Sequence, residues 1–532
     1  MKSLRLLLAA ALMFIVGQVA SAQDKDILDN VERFGRAMIY LRNNYIDNVD
    51  FNKITDDAIR TVIESLDPHT VFIPKEEVES TNEPLNGSFE GIGIEFAVIS
   101  DTLCVQNVIV GGPSQEVGLQ PGDKILSVDG DNIAGIKITT DGVRKRLRGP
   151  KGTKVNLVVK RHGTDGLLEF SITRNTIPLT SIDAAYCPKP DILYVKLSSF
   201  AQNSALEFVN AFKQMDRMPK GVIVDLRGNG GGYMHIATMI ANIFLEEGQT
   251  ILYTEGRNSP LQYEKANNLG FFKKGALVVL VDEGSASSSE IFAGAMQDWD
   301  RGVIVGRRTF GKGLVQQQFP LSDGSQVRLT VSRYHTPSGR VIQTPYENGH
   351  REEYYNKLND RYKKGEFFNR DSILFPDSLK FSTLKLGRTV YGGGGIMPDI
   401  FIAGDTAGVN AFSSAIIRRG YLSEYANQYV DRHRSELVVE GRSFETFCKI
   451  YRNMEPEAFS GLLDYCAERG LKPSGSQLDE CEKMLKTRLK AVIARAPFNT
   501  TGYFRVINME DDPAFQKALE VISAWKEPFP SL

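Results

Sequence analysis

Three short segments concentrate residues able to do acyl-transfer chemistry. The first is Val281-Asp282-Glu283-Gly284-Ser285-Ala286-Ser287-Ser288-Ser289-Glu290-Ile291, where small residues join an apolar run to a helix expected to open near Glu290. Such a turn presents a hydroxyl at a helix N-terminus, where free backbone N–H groups can stabilise an oxyanion. The same residues also suit an ordinary serine-rich helix cap. The second segment, Gly306-Arg307-Arg308-Thr309-Phe310-Gly311-Lys312-Gly313, has the outline of a phosphate-binding G-x-x-x-x-G-K-[ST] loop. Position 313 is Gly, so the hydroxyl that would hold Mg²⁺ is missing, and Leu314 to Pro320 is poorly suited to the long helix such a loop requires. The third, Asp225-Leu226-Arg227-Gly228-Asn229-Gly230-Gly231-Gly232, lacks dinucleotide spacing. Its glycines permit positive φ and close backbone approach, which serves a tight turn or an oxyanion donor alike.

The surrounding pattern divides the chain into regions of different texture. Ile27, Val31, Phe34, Met38, Leu41 and Tyr45 recur at steps of three and four, an amphipathic helix, and a second helix is expected from about Thr55 to Leu66 before Pro68 breaks it. Residues 23–86 therefore read as an N-terminal helical domain. From Gly87 short β-type runs alternate with turn signals, with a helix near Thr139–Leu147 and a strand at Lys154–Lys160. Within them, Gly118-Leu119-Gln120-Pro121-Gly122-Asp123-Lys124-Ile125-Leu126-Ser127-Val128-Asp129-Gly130 resembles the signature of a PDZ domain, assigned to 87–176. The continuous apolar runs Gly221–Leu226 and Ala276–Val281 suit strands covered on both faces, each followed by a helix, so 177–400 reads as an α/β core. Charged amphipathic helices fill 401–532, interrupted by a turn-rich stretch from Ala496 to Phe504.

Composition narrows the partners. With 63 Lys+Arg against 65 Asp+Glu the net charge is −2, which favours neither nucleic acid nor an anionic membrane surface in bulk. Met1-Lys2-Ser3-Leu4-Arg5, an apolar run to Val16 and Ala20-Ser21-Ala22 form the n-region, h-region and cleavage site of a signal peptide, 1–22, cut after Ala22. The run is shorter than the roughly 20 residues that span a bilayer, so an exported, periplasmic protein is expected, soluble or peripheral at the membrane. The five cysteines lack zinc-type spacing, and no metal or cofactor is expected; one disulfide within the group Cys448, Cys466 and Cys481 is open to it. The apolar stripe from Ile27 to Tyr45 suits either an intramolecular core or the seam of a homodimer.

The three segments, in this order and behind a PDZ-type unit, resemble the carboxy-terminal processing peptidases, or tail-specific proteases, over about residues 30–400. The resemblance implies a multidomain α/β protein whose peptidase core has crotonase-like, ClpP-like character. It places the nucleophile on Ser287, the general base on Lys312 and a lysine-orienting glutamine on Gln316, with Lys312 25 positions after Ser287 as in the family. It implies an oxyanion hole from the N–H of Ser288 and of Gly230 or Gly231. Ser288 replaces the family's usual alanine and Gly230 a common proline; neither change removes a reacting group. The chemistry is sound, because a desolvated lysine can fall from a pKa of about 10.4 to roughly 7 or 8 and accept the serine proton. Phe310, Leu314 and Val315 offer it apolar company. Of the six histidines only His235 lies beside a motif, and it reads as a helix residue. Gly91, Ile92, Gly93 and Ile94 are expected to receive a substrate's terminal carboxylate while its tail adds as a strand, with attraction from Arg148. The expected partners are proteins or peptides with accessible C-termini. The competing expectation is an inert PDZ scaffold.

Overall fold

The computed structural model describes residues 25–99, 101–109, 111–161 and 163–525; the signal peptide expected over 1–22 lies outside them. Two compact units divide between Ser65 and Leu66. The smaller holds a helix over residues 25–44 and the helix Phe51–Glu64, whose N-cap Asp50 accepts from the N–H groups of Asn52 and Lys53. On the first helix Ile27, Val31 and Phe34 are exposed, as is Tyr45 just past its end. The stretch 66–86, read above as part of an N-terminal helical domain, belongs instead to the larger unit. Val71–Ile73 pairs antiparallel with Gln326–Arg328 of a distant strand, a contact that local periodicity does not announce.

In the larger unit the sheet order is Ile94–Ile99, Thr102–Val108, Lys124–Val128, Lys154–Lys160 and Leu168–Thr173, with the helix Thr140–Leu147 packed into the same core. Leu103, Ile125, Val143, Val155, Val159 and Ile172 are fully buried there. The Pro121-Gly122-Asp123 turn is fixed by a buried Asp123 carboxylate paired at 2.8 Å with Arg161. Ile94–Ile99 is an edge strand, with a neighbour on one side only.

The α/β core is a six-stranded sheet in the order Ile182–Lys189, Ile192–Leu197, Gly221–Asp225, Ala276–Val281, Val303–Gly306 and Ile400–Phe401, parallel except for its first pair. Every residue of Gly221–Asp225 and Ala276–Val281 is buried, as continuous apolar runs demand. Helices Ser204–Lys213, Met234–Asn242 and Ser288–Asp298 cover one face. The other face is covered by the last described helix, Pro513–Ser523, through Phe515, Ala518, Leu519 and Ile522. A second sheet brings Leu314–Pro320 against Gln326–His335.

The remaining C-terminal helices form their own core around Tyr429, Phe447, Tyr451, Leu462 and Leu485. The turn-rich stretch from Ala496 is a kink at Asn499, φ +53°, within Arg495–Glu510. All five cysteines are free thiols; Cys466 and Cys481 are buried in this apolar core rather than bridged.

Candidate active site

The apolar strand Ala276–Val281 ends where Asp282 to Ala286 form a tight turn into the helix Ser288–Asp298. Three of its four serines have their hydroxyls engaged. Ser285 Oγ donates to Leu226 O at 2.8 Å, Ser288 Oγ to Gly232 O at 2.9 Å and Ser289 Oγ to Asn229 O at 2.9 Å, and all three residues are buried. Ser287 alone is partly exposed and sits at φ +55°, a strained position for a non-glycine residue. The second hydroxyl beside it, Ser288, is therefore turned to the glycine segment and is not a rival nucleophile.

Glu290, fully buried, holds this turn to the lysine segment. Its Oε2 accepts from Ser287 N at 2.8 Å and Lys312 N at 2.9 Å; its Oε1 accepts from Gly311 N at 2.7 Å and Thr309 Oγ1 at 2.5 Å. Burial pushes the Glu290 carboxyl up, against these four hydrogen bonds. The Tyr334 hydroxyl, also buried, lies 2.9 Å from Lys312 O and 3.2 Å from Ser287 O, so a second group ties the two segments together. Neither was assigned a role from sequence, although Ser287-x-x-Glu290 is the spacing of a capping box and could have pointed to Glu290.

Lys312 precedes the strand Leu314–Pro320, and its Nζ donates to Gln316 Oε1 at 2.8 Å. Gln316 Nε2 donates in turn to the His69 carbonyl at 2.6 Å, fixing which way the amide points. Burial brings the Lys312 pKa down to about 8, helped by the charge of Arg328 and opposed by Asp67 and Glu290. The Leu66–Thr70 segment, seen in the sequence only as a helix break, is thus part of the site. Asp67 accepts from the N–H groups of His69 and Thr70 and from Thr330 Oγ1, which holds the His69 carbonyl in place. His69, set aside in the sequence as lying outside the motifs, reaches the site through its backbone. Its ring, with Nε2 3.1 Å from Tyr354 OH, is kept neutral by burial and by the Lys312 charge, with a pKa near 4. His235 is exposed on the helix Met234–Asn242.

The glycine segment lies directly against the serine turn. A Cβ on Gly231 would stand 2.8 Å from both Ala286 O and Ser287 Cβ, and its φ is +102°, so only glycine fits. The Gly231 N–H donates to Asn229 Oδ1 at 2.8 Å, which corrects its assignment as an oxyanion donor. Gly230 is exposed, and its N–H and that of Ser288, the first amide of its helix, meet no acceptor among the described residues.

In the β domain, Gly91 ends the strand Ser88–Gly91, and Ile92–Gly93 form the turn into the edge strand that Ile94 begins. Ile92 O accepts from Ser114 N and Oγ, and Gly93 O from Ile109 N, so both turn carbonyls are engaged. Arg148 is a correction: its guanidinium is ion-paired with Glu83 and lies 4.9 Å over the Phe89 ring, so it is not free to meet a substrate tail.

Comparison with known proteins agrees with this architecture. Residues 191–348 match the profile of peptidase family S41, 91–172 that of the PDZ domain, and 412–499 a family of unknown function. The carboxy-terminal processing protease CtpA of Bacillus subtilis is 33% identical over 341 residues, covering 63% of this chain and 72% of that protein. The carboxyl-terminal-processing protease of Synechocystis is 37% identical over 310 residues, covering 57% and 72%. Among solved structures, the photosystem II D1 C-terminal processing protease matches at 25% identity and TM-score 0.36, over 70% of this chain and 86% of that one. With its PDZ domain and α/β core in this order, the chain belongs to the carboxy-terminal processing proteases of peptidase family S41, which are serine-type peptidases.

Proposed function

We propose that the protein is an exported endopeptidase that recognises C-terminal tails through its PDZ domain and cleaves them with Ser287 and Lys312. One observation carries the mechanism: the half-buried Lys312 amine donates to a neutral amide oxygen, not a carboxylate, and its pKa is brought down to about 8. A neutral fraction of the amine is therefore present near neutral pH to take the Ser287 proton.

Ser287 Oγ attacks the scissile carbonyl as its proton passes to Lys312 Nζ. The oxyanion is met by the N–H groups of Ser288 and Gly230. Collapse breaks the C–N bond, and the departing amine takes the proton from Lys312. Water then attacks the acyl-enzyme, giving a proton to Lys312 while Gln316 holds the amine in register; collapse breaks the ester C–O bond, the acid product leaves and Ser287 Oγ takes the proton back. The substrate tail adds beside Ile94–Ile99, and the amides of the Gly91–Ile94 segment receive its carboxylate.

Ser287→Ala is expected to abolish cleavage of a peptide with an apolar C-terminus while leaving its binding intact; unchanged turnover overturns the reading. A serine-reactive phosphonate that labels the native protein but not Ser287→Ala separates the enzyme from an inert scaffold. Export rests on the 1–22 pattern, and a mature N-terminus at Gln23, read by mass spectrometry, tests it.

A further inference from the structure

The C-terminal region reaches the catalytic end of the core sheet through one carboxylate. Asp225, the last residue of its buried strand, accepts from Tyr194 OH at 2.7 Å and from Arg227 Nε at 3.0 Å and Nη2 at 2.6 Å. The far side of the same guanidinium forks onto Asp512, with Nη1–Oδ1 at 3.0 Å and Nη2–Oδ2 at 2.7 Å. Lys196 Nζ completes the cluster, donating to Asp225 and to the Arg227 carbonyl. Two carboxylates and two cations thus balance in a nearly dry space, where a planar, two-pronged pair fixes position as well as charge.

Asp512 is the N-cap of Pro513–Ser523, its Oδ1 also accepting from Phe515 N at 3.0 Å, and is therefore rigidly carried by the helix that covers the sheet. Arg227 opens the glycine segment. Beyond it Gly228 N donates to Asp282 Oδ1, and Asn229 accepts at its carbonyl from Ala286 N and Ser289 Oγ. Gly230 follows with its unengaged N–H.

We propose that Asp512 is a positioning residue for catalysis: through Arg227 it sets the glycine segment so that the Gly230 N–H meets the oxyanion. The proposal rests on the oxyanion assignment above. It gives the C-terminal helix a part in turnover besides its packing.

The test uses the full chain and a chromogenic or fluorogenic peptide. Asp512→Asn keeps an oxygen to cap Phe515 N but removes the charged fork. Losing an oxyanion donor outright costs on the order of 10²–10³ in kcat. A displaced donor is expected to cost about tenfold or more, with KM within about twofold. Arg227→Gln is expected to behave alike, and the double variant to be no slower than the worse single one, since both act through one contact. Leu519→Ala, which loses packing on the same helix, is expected to lower Tm and leave the kcat of the folded protein unchanged. The proposal is overturned by a kcat for Asp512→Asn within twofold of the native value, by losses that multiply in the double variant, or by an equal kcat loss in Leu519→Ala. Ser287→Ala distinguishes the two levels. Residual turnover there overturns the catalytic reading itself, whereas a dead Ser287→Ala beside a fully active Asp512→Asn overturns the role of Asp512 alone.

Discussion

An amine of ordinary basicity is protonated at neutral pH and cannot take a proton from serine, so in the proposed mechanism the surroundings of Lys312 decide whether the site works. Burial lowers its pKa to about 8, and the base must be neutral to act. Activity should therefore be lost as pH falls below about 8, tenfold per unit, and kcat/KM against pH should show one acid limb near that value. Gln316 matters because it is uncharged. Gln316→Glu places a carboxylate on the amine, favours the ammonium form and should move the acid limb upward by about 1–3 units, read from the same profile. A limb that stays in place would remove Gln316 from contact with the working base. At Ser287 the structure supplies what residue types could not, because the hydroxyls of Ser285, Ser288 and Ser289 each donate to a backbone carbonyl.

At the scale of elements, one buried side chain joins the serine turn to the lysine segment. Glu290 accepts four hydrogen bonds from Ser287, Thr309, Gly311 and Lys312. Glu290→Gln turns an amide N–H₂ toward donors and should cost about 2–3 kcal/mol of stability, read by denaturant unfolding, with a loss of kcat in the protein that remains folded. The glycine segment is equally exacting. Gly231→Ala would place its methyl against Ala286 O and Ser287 Cβ at φ +102°, so kcat should fall by at least tenfold, roughly the weight of a disturbed oxyanion site, while tail binding to the PDZ domain is unchanged by calorimetry.

For the whole molecule, the core sheet is closed from below by residues more than two hundred positions downstream. Phe515, Ala518, Leu519 and Ile522 lie on Ile223, Val278, Leu280 and Val305. A chain ending before Ala411 would expose this face, and it is expected to lose the cooperative thermal transition of the core, followed by circular dichroism. In the full-length protein Phe515→Ala should cost about 3–5 kcal/mol, as for other large buried aromatics.

The sequence alone determined the strands, because Gly221–Asp225 and Ala276–Val281 are continuous apolar runs that only a doubly covered sheet can bury. It also determined the β domain, whose turn residues and alternation are local signals, and the chemistry on offer, since a lysine that fails the phosphate-loop pattern beside a serine-rich turn suits acyl transfer. Its choice of Ser287 came from family likeness. Only the tertiary structure set that hydroxyl apart from its neighbours, removed Gly231 and Arg148 by giving them other partners, and brought Asp67, His69, Tyr334 and Asp512 to the site. Periodicity reports what a residue does within one element; the Gly231–Asn229 bond is local, but Tyr334 and Asp512 act through hydrogen bonds spanning 22 and 285 positions, which no local pattern carries.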